Sequence, residues 1–120
     1  MGEGHEAGRA GERAAGRHMI RRGWRIEAAG WRGAGGELDL VVSRGSVVAV
    51  CEVKTRADPE ALREPVTAAQ RARIARAAEA FMAGRPDLAG RELRLDLITV
   101  RRGRLRARVR HHPGAIEAPP

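Results

Sequence analysis

Two carboxylates and an ammonium stand close together in the middle of the chain, in the pattern D-x(12)-E-x-K formed by Asp39, Glu52 and Lys54. Lys54 is the only lysine among 23 Lys and Arg residues. The abundance of Arg, Ala and Gly reads as the codon bias of a GC-rich genome, so a retained lysine points to a role guanidinium cannot fill. An ammonium is compact and its pKa can be moved by its surroundings, whereas guanidinium is bulky and always charged. Both Glu52 and Lys54 sit in "VVAVCEVKTR", a run otherwise suited to a protein core.

Side chains on a strand alternate between faces, so Val48, Val50, Glu52 and Lys54 share one side. "ELDLVV" and "VVAVCEVKT" flank "SRGS" and read as a hairpin. A two-residue Gly45–Ser46 loop with glycine first, the pattern of a type II′ turn, pairs residues whose numbers sum to 91. Asp39 is then expected opposite Glu52, and Glu37 opposite Lys54. A slip of one residue would send these groups to opposite faces, so the inference depends on the register. Carboxylates about 5 Å apart between Cβ atoms repel unless something positive lies between them. A proton, Lys54 or a divalent cation would serve. Mg²⁺ prefers one or two carboxylates with water and phosphate oxygens, and a neighbouring lysine could orient an attacking water and stabilise the charge developing on it. The alternative is a buried Asp–Lys–Glu ion cluster, which costs several kcal/mol of desolvation per charge and is often matched in stability by apolar residues.

The elements that must position these groups follow from periodicity and punctuation. A helix is expected from Ala7 to Arg22, after a loose start, with Ala10, Ala14, Ala15, His18 and Met19 along one stripe and Gly23 ending it. "WRIEAAGWRG" reads as a short strand followed by a loop, with "GAGG" a flexible approach to the hairpin. A second helix starts at Thr67, where Thr67 and Gln70 have capping-box spacing. It buries Ile74, Ala77, Ala78, Phe81 and Met82 and stops at Gly84 and Pro86. "ELRLDLITV" and "RLRARV" are two further strands. The order α-β-β-β-α-β-β predicts a mixed sheet with helices on its faces, in a single domain spanning residues 1–120.

A formal charge of +8 points to a polyanionic partner, most simply nucleic acid. Arg104, Arg106, Arg108 and Arg110 alternate with Leu105, Ala107 and Val109, which predicts a row of guanidinium groups for phosphates; protection of an edge strand by charge explains it equally well. One cysteine, Cys51, rules out an internal disulfide and suits a reducing cytoplasm. No apolar run is long enough for a membrane span, and the N-terminal stretch has no signal-peptide core. Asp96 is expected to pair with Arg94, His111 and His112 to be polar surface, and Trp24 and Trp31 to pack in the core rather than stack on bases.

"GGELDLVV" and "VVAVCEVKTR", together with "GERAAGRHMIRRGWRI", "RLDLITV" and "VRHHPGAI", resemble the bacterial YraN family. This family is functionally uncharacterised and belongs to the restriction endonuclease-like, PD-(D/E)xK nuclease superfamily, with archaeal Holliday junction resolvases as relatives. The resemblance implies a restriction endonuclease-like α/β/α core, a mixed central sheet flanked by helices, and Mg²⁺- or Mn²⁺-dependent cleavage of DNA phosphodiesters, including branched structures. Carried over by position, Asp39 and Glu52 are metal ligands, Lys54 is the catalytic lysine, Val53 lends its backbone carbonyl, and Glu12 matches an acidic residue that related resolvases bring to the same metal. Leu38 stands where the superfamily name has proline. Junction resolvases of this fold act as dimers, so a homodimer is open by analogy only. The competing reading is a nucleic-acid-binding protein that keeps the nuclease fold without the reaction.

Overall fold

The computed structural model describes residues 2–119, with side chains from Gly8 onward. Helix α1 (Gly2–Arg21) is followed by strands β1 (Arg25–Gly33), β2 (Gly36–Arg44) and β3 (Val47–Arg56), helix α2 (Ala68–Ala83), and strands β4 (Glu92–Arg102) and β5 (Ala107–His112). The five strands lie in sequence order, β1 to β5, in one sheet. Every neighbouring pair is antiparallel except β3 and β4, which run parallel from Val47↔Glu92 to Arg56↔Arg101. Parallel strands need a long crossover, and α2 supplies it. This is the restriction endonuclease-like α/β fold, with a mixed sheet between two helices.

Strand β3 is central and apolar on both sides, as its valine run requires. Val48 and Val50 join Ile74, Ala77, Ala78 and Phe81 of α2 in one core. Ala49 and Cys51 join Ala14, Ala15 and Met19 of α1 in the other. Helix α2 has the expected N-terminus: Thr67 Oγ1 accepts from the Gln70 amide at 3.1 Å, and Gln70 Oε1 accepts from the Thr67 amide at 2.8 Å. Gly84 caps its end. Both tryptophans pack as expected. Trp24 is buried, and Trp31 meets the Phe81 ring edge-on at 5.5 Å.

The hairpin register is the expected one. Arg44↔Val47 through Leu40↔Cys51 all sum to 91, and Gly45 takes φ 56° as the first turn residue, a conformation glycine adopts without steric penalty. Four expectations need correction. The first helix begins at Gly2 rather than Ala7. β1 is nine residues long and forms a second hairpin with β2. Its turn is Ala34–Gly35, with φ 52° and 75°, so "GAGG" is a tight type I′ turn and not a flexible approach. The last strand starts at Ala107, not Arg104. There the Gly103 amide donates to the Arg106 carbonyl at 3.1 Å, spending residues 103–106 on the turn.

The fourth correction shapes the site. The β2–β3 ladder stops at Leu40↔Cys51, so Asp39 has no ladder partner in Glu52, nor Glu37 in Lys54. On β1 the ladder steps from Ala29↔Leu40 to Trp31↔Leu38, with Gly30 between them at φ 63°. Leu38 and Val41 consequently face the same core although three residues apart. β2 twists at Asp39 and peels away from β3, opening a notch at the end of the sheet.

Candidate active site

The notch is part of a cleft of about 520 Å³ at the carboxyl ends of β3 and β4, the end at which open α/β sheets bind ligands. Glu12 comes from α1, Asp39 from β2, Glu52, Val53 and Lys54 from β3, Arg102 from β4, and Thr67 and Gln70 from the start of α2. All five residues expected at a catalytic or metal site therefore line one cleft.

Asp39 is its hub. Where β2 leaves β3, the Val53 amide loses a backbone partner and donates instead to Asp39 Oδ2 at 2.8 Å. A half-buried amide left without an acceptor would be costly, so the carboxylate completes the sheet as well as lining the cleft. Glu12 and Glu52 both lie close enough to Asp39 for its charge to act on them. Burial, and then the charge of Asp39, push the Glu52 carboxyl up to about 8. Glu12 is pushed up to about 7 by burial, with Asp39 and Glu37 adding to it. Asp39 is itself raised, chiefly by burial and against the pull of the Val53 amide. Arg73 and Arg9 are the cations that oppose these shifts at Glu52 and Glu12.

Lys54 lies on the wall of the cleft, but it does not sit between the carboxylates. Its ammonium donates to the Glu64 carbonyl. Burial lowers its pKa, with Glu64 counteracting. Glu37 pairs with Arg32 at 3.6 Å instead of with Lys54. Burial and neighbouring carboxylates raise all three carboxyls in a site with little positive charge beside them, a setting that a divalent cation would relieve. Among the described residues no group of three or more His, Cys, Asp and Glu side chains forms a ready-made metal cage.

Helix α1 reaches the cleft because residue 11 is glycine. A Cβ there would collide with the Thr55 side chain. Gly11 is what allows Glu12 to approach Asp39. Arg102 and Arg73 were not singled out from the sequence. Both were within reach: Arg73 lies one turn after Gln70, and the parallel β3–β4 register brings Arg102 to the end of the sheet that holds Glu52.

The arginine row is divided. Arg108 and Arg110 lie on edge strand β5, while Arg104 and Arg106 belong to the β4–β5 turn, so the four do not form one strand face. Asp96 pairs with Arg94 as expected, through contacts of 2.8 and 2.9 Å. It also accepts from the Gly114 amide at 2.8 Å and lies 2.7 Å from His111 Nε2. His111 is therefore a half-buried structural partner and not polar surface, and His112 bonds Thr99 at 3.0 Å.

A five-stranded mixed sheet between two helices, with acidic groups from α1, β2 and β3 gathered at one end beside a lysine, defines a member of the restriction endonuclease-like superfamily. The family model described as uncharacterised protein family UPF0102 matches residues 11–100, and the chain belongs to that family, the YraN-like group of the superfamily. It is 41% identical to a UPF0102 protein of Methylorubrum extorquens over 82% of this chain and 75% of the relative. It is 38% identical to one from Myxococcus xanthus over 97% and 93% of the two chains. With one from Paramagnetospirillum magneticum the identity is 49%, over 70% and 64%. Among the described residues no helix is long and apolar enough to cross a membrane.

Proposed function

We propose that the protein is a metal-dependent endonuclease that hydrolyses DNA phosphodiester bonds, with branched DNA as the substrate of first choice. The observation that carries this reading is the convergence of the Glu12, Asp39 and Glu52 carboxylates in one cleft with Lys54 on its wall. Asp39, Glu52 and the Val53 carbonyl, assisted by Glu12, would hold Mg²⁺ or Mn²⁺. When bound, such an ion supplies Lewis-acid polarisation of a phosphoryl oxygen. Asp39 is held in place for this by the Val53 amide. Lys54, with its lowered pKa, orients the attacking water and stabilises the charge that develops on it. Arg56 and Arg102 on the cleft wall bind the flanking phosphates. The sole cysteine is buried and free, in keeping with a reducing cytoplasm.

The test is cleavage of branched and linear DNA with Mn²⁺ or Mg²⁺ by wild type, Asp39→Ala and Lys54→Ala. Each variant should lose about 100-fold or more in rate, the usual effect of removing one group that stabilises the transition state. Equal cleavage by all three would place the activity elsewhere. One observation favours a second reading, a DNA-binding protein without turnover: the Lys54 ammonium is tied to the Glu64 carbonyl. That reading predicts salt-sensitive DNA binding and no cleavage with either metal.

A further inference from the structure

The tip of the β4–β5 hairpin carries a combination that neither the fold nor the carboxylate cleft uses. Leu105 is 96% exposed, so it contributes no burial to the core. Around it stand Arg101, Arg102, Arg104, Arg106 and Arg108, which line a shallow depression with it. Among the described residues none of these five guanidinium groups takes part in an ion pair. From Leu97 to Ile116 the chain contains no Asp or Glu. Arg101 and Arg108 lie directly opposite each other, an arrangement of like charges that destabilises a sheet and that an anion between them relieves.

Edge protection accounts for charges on β5, but a bare leucine at the tip works against it. One backbone hydrogen bond also closes the tip. The Gly103 amide donates to the Arg106 carbonyl, and a side chain on Gly103 would collide with that oxygen. Arg102 lines both this depression and the carboxylate cleft, so a polyanion lying on the tip continues into the cleft.

We infer that the hairpin tip is a wedge: the arginines hold phosphates and Leu105 enters the base stack of duplex DNA next to the cleft. Apolar side chains driven between base steps unstack and kink a duplex, at least cost where the stack is already interrupted. The wedge therefore selects nicked, bulged or branched duplexes over continuous ones. This deepens the hydrolase reading and rests on it for the choice of DNA. A lipid surface would call for a broad apolar face and not a single leucine.

The experiment uses the full chain in EDTA, where metal-dependent cleavage is silent. It compares a continuous duplex with one bulged at its centre, each carrying 2-aminopurine beside the central step. Wild type should prefer the bulged duplex by about tenfold, equivalent to about 1.4 kcal/mol, and brighten its probe. Leu105→Ala should lose most of that preference and of the brightening, yet bind the continuous duplex within about twofold of wild type, as for an exposed surface change. Arg104→Ala with Arg106→Ala should weaken binding to both duplexes alike. The wedge is overturned if Leu105→Ala keeps the preference and the signal, or if wild type shows neither. Tighter binding to phosphatidylglycerol vesicles than to either duplex overturns it too. A protein that shows the wedge signal in EDTA but never cleaves once Mn²⁺ or Mg²⁺ is supplied sinks only the hydrolase reading, and one that cleaves with metal yet lacks the signal sinks only the wedge.

Discussion

The carboxylate cluster makes folding itself sensitive to pH. Glu52, Glu12 and Asp39 all have pKa values raised in the folded state, so the fold favours their protonated forms. The stabilisation is fully present below the unfolded value of 4.5 and is withdrawn as pH climbs through about 7 for Glu12 and about 8 for Glu52. One pKa unit corresponds to about 1.4 kcal/mol, which for Glu52 alone would amount to several kcal/mol. Solvent reaching the open cleft and the half-buried Glu12 reduces this, leaving an expected loss of about 2–4 kcal/mol between pH 5 and pH 9. In a domain of this size that is a fall in Tm of about 10 °C. His18 and His112 have lowered values, so they oppose this trend by destabilising the fold as pH falls below 6.5. The informative readout is therefore the difference between wild type and Glu52→Gln, measured by calorimetry across that range without metal. Glu52→Gln should flatten the curve by more than half and melt above wild type at pH 9. Mg²⁺ or Mn²⁺ at ten times its Kd should return about 1.4 kcal/mol to wild type at pH 8 and much less to the variant. A wild-type Tm that is level from pH 5 to pH 9, or a Glu52→Gln curve with the same slope, would refute the crowding of these groups.

Asp96→Ala should destabilise the protein by about 2–4 kcal/mol in urea, because the half-buried Arg94 and His111 would lose their buried anion and the Gly114 amide would lose its acceptor. Gly11→Ala should lower stability by about 1–3 kcal/mol through overpacking against Thr55 and slow DNA cleavage by displacing Glu12; since alanine favours helix by about 1 kcal/mol, a stabilised variant would show that α1 does not press on β3.

Local chemistry made part of this molecule readable in advance. Gly45–Ser46 set the hairpin register, and Thr67 with Gln70 marked the start of α2, because each signal acts over a few residues. The twist at Asp39 was not visible, since it depends on Gly30 adopting a left-handed conformation on the neighbouring strand. Ala34 disguised the β1–β2 turn, being a residue with no preference for positive φ. Lys54 was placed on the correct strand face, but its partner is the backbone of Glu64, in a loop whose path no strand pattern fixes. His111 reads as surface until the return of the chain at Gly114 brings both residues onto Asp96. What remained hidden was the meeting of segments distant in sequence.

The bond from the Val53 amide to Asp39 Oδ2 bears on how a ligand would be received. A free aspartate loses rotamer freedom when it is captured, and that loss weakens binding. Here the rotamer is chosen as the sheet forms, before anything enters the cleft. An incoming ligand would meet a carboxylate on an arm that folding has already immobilised.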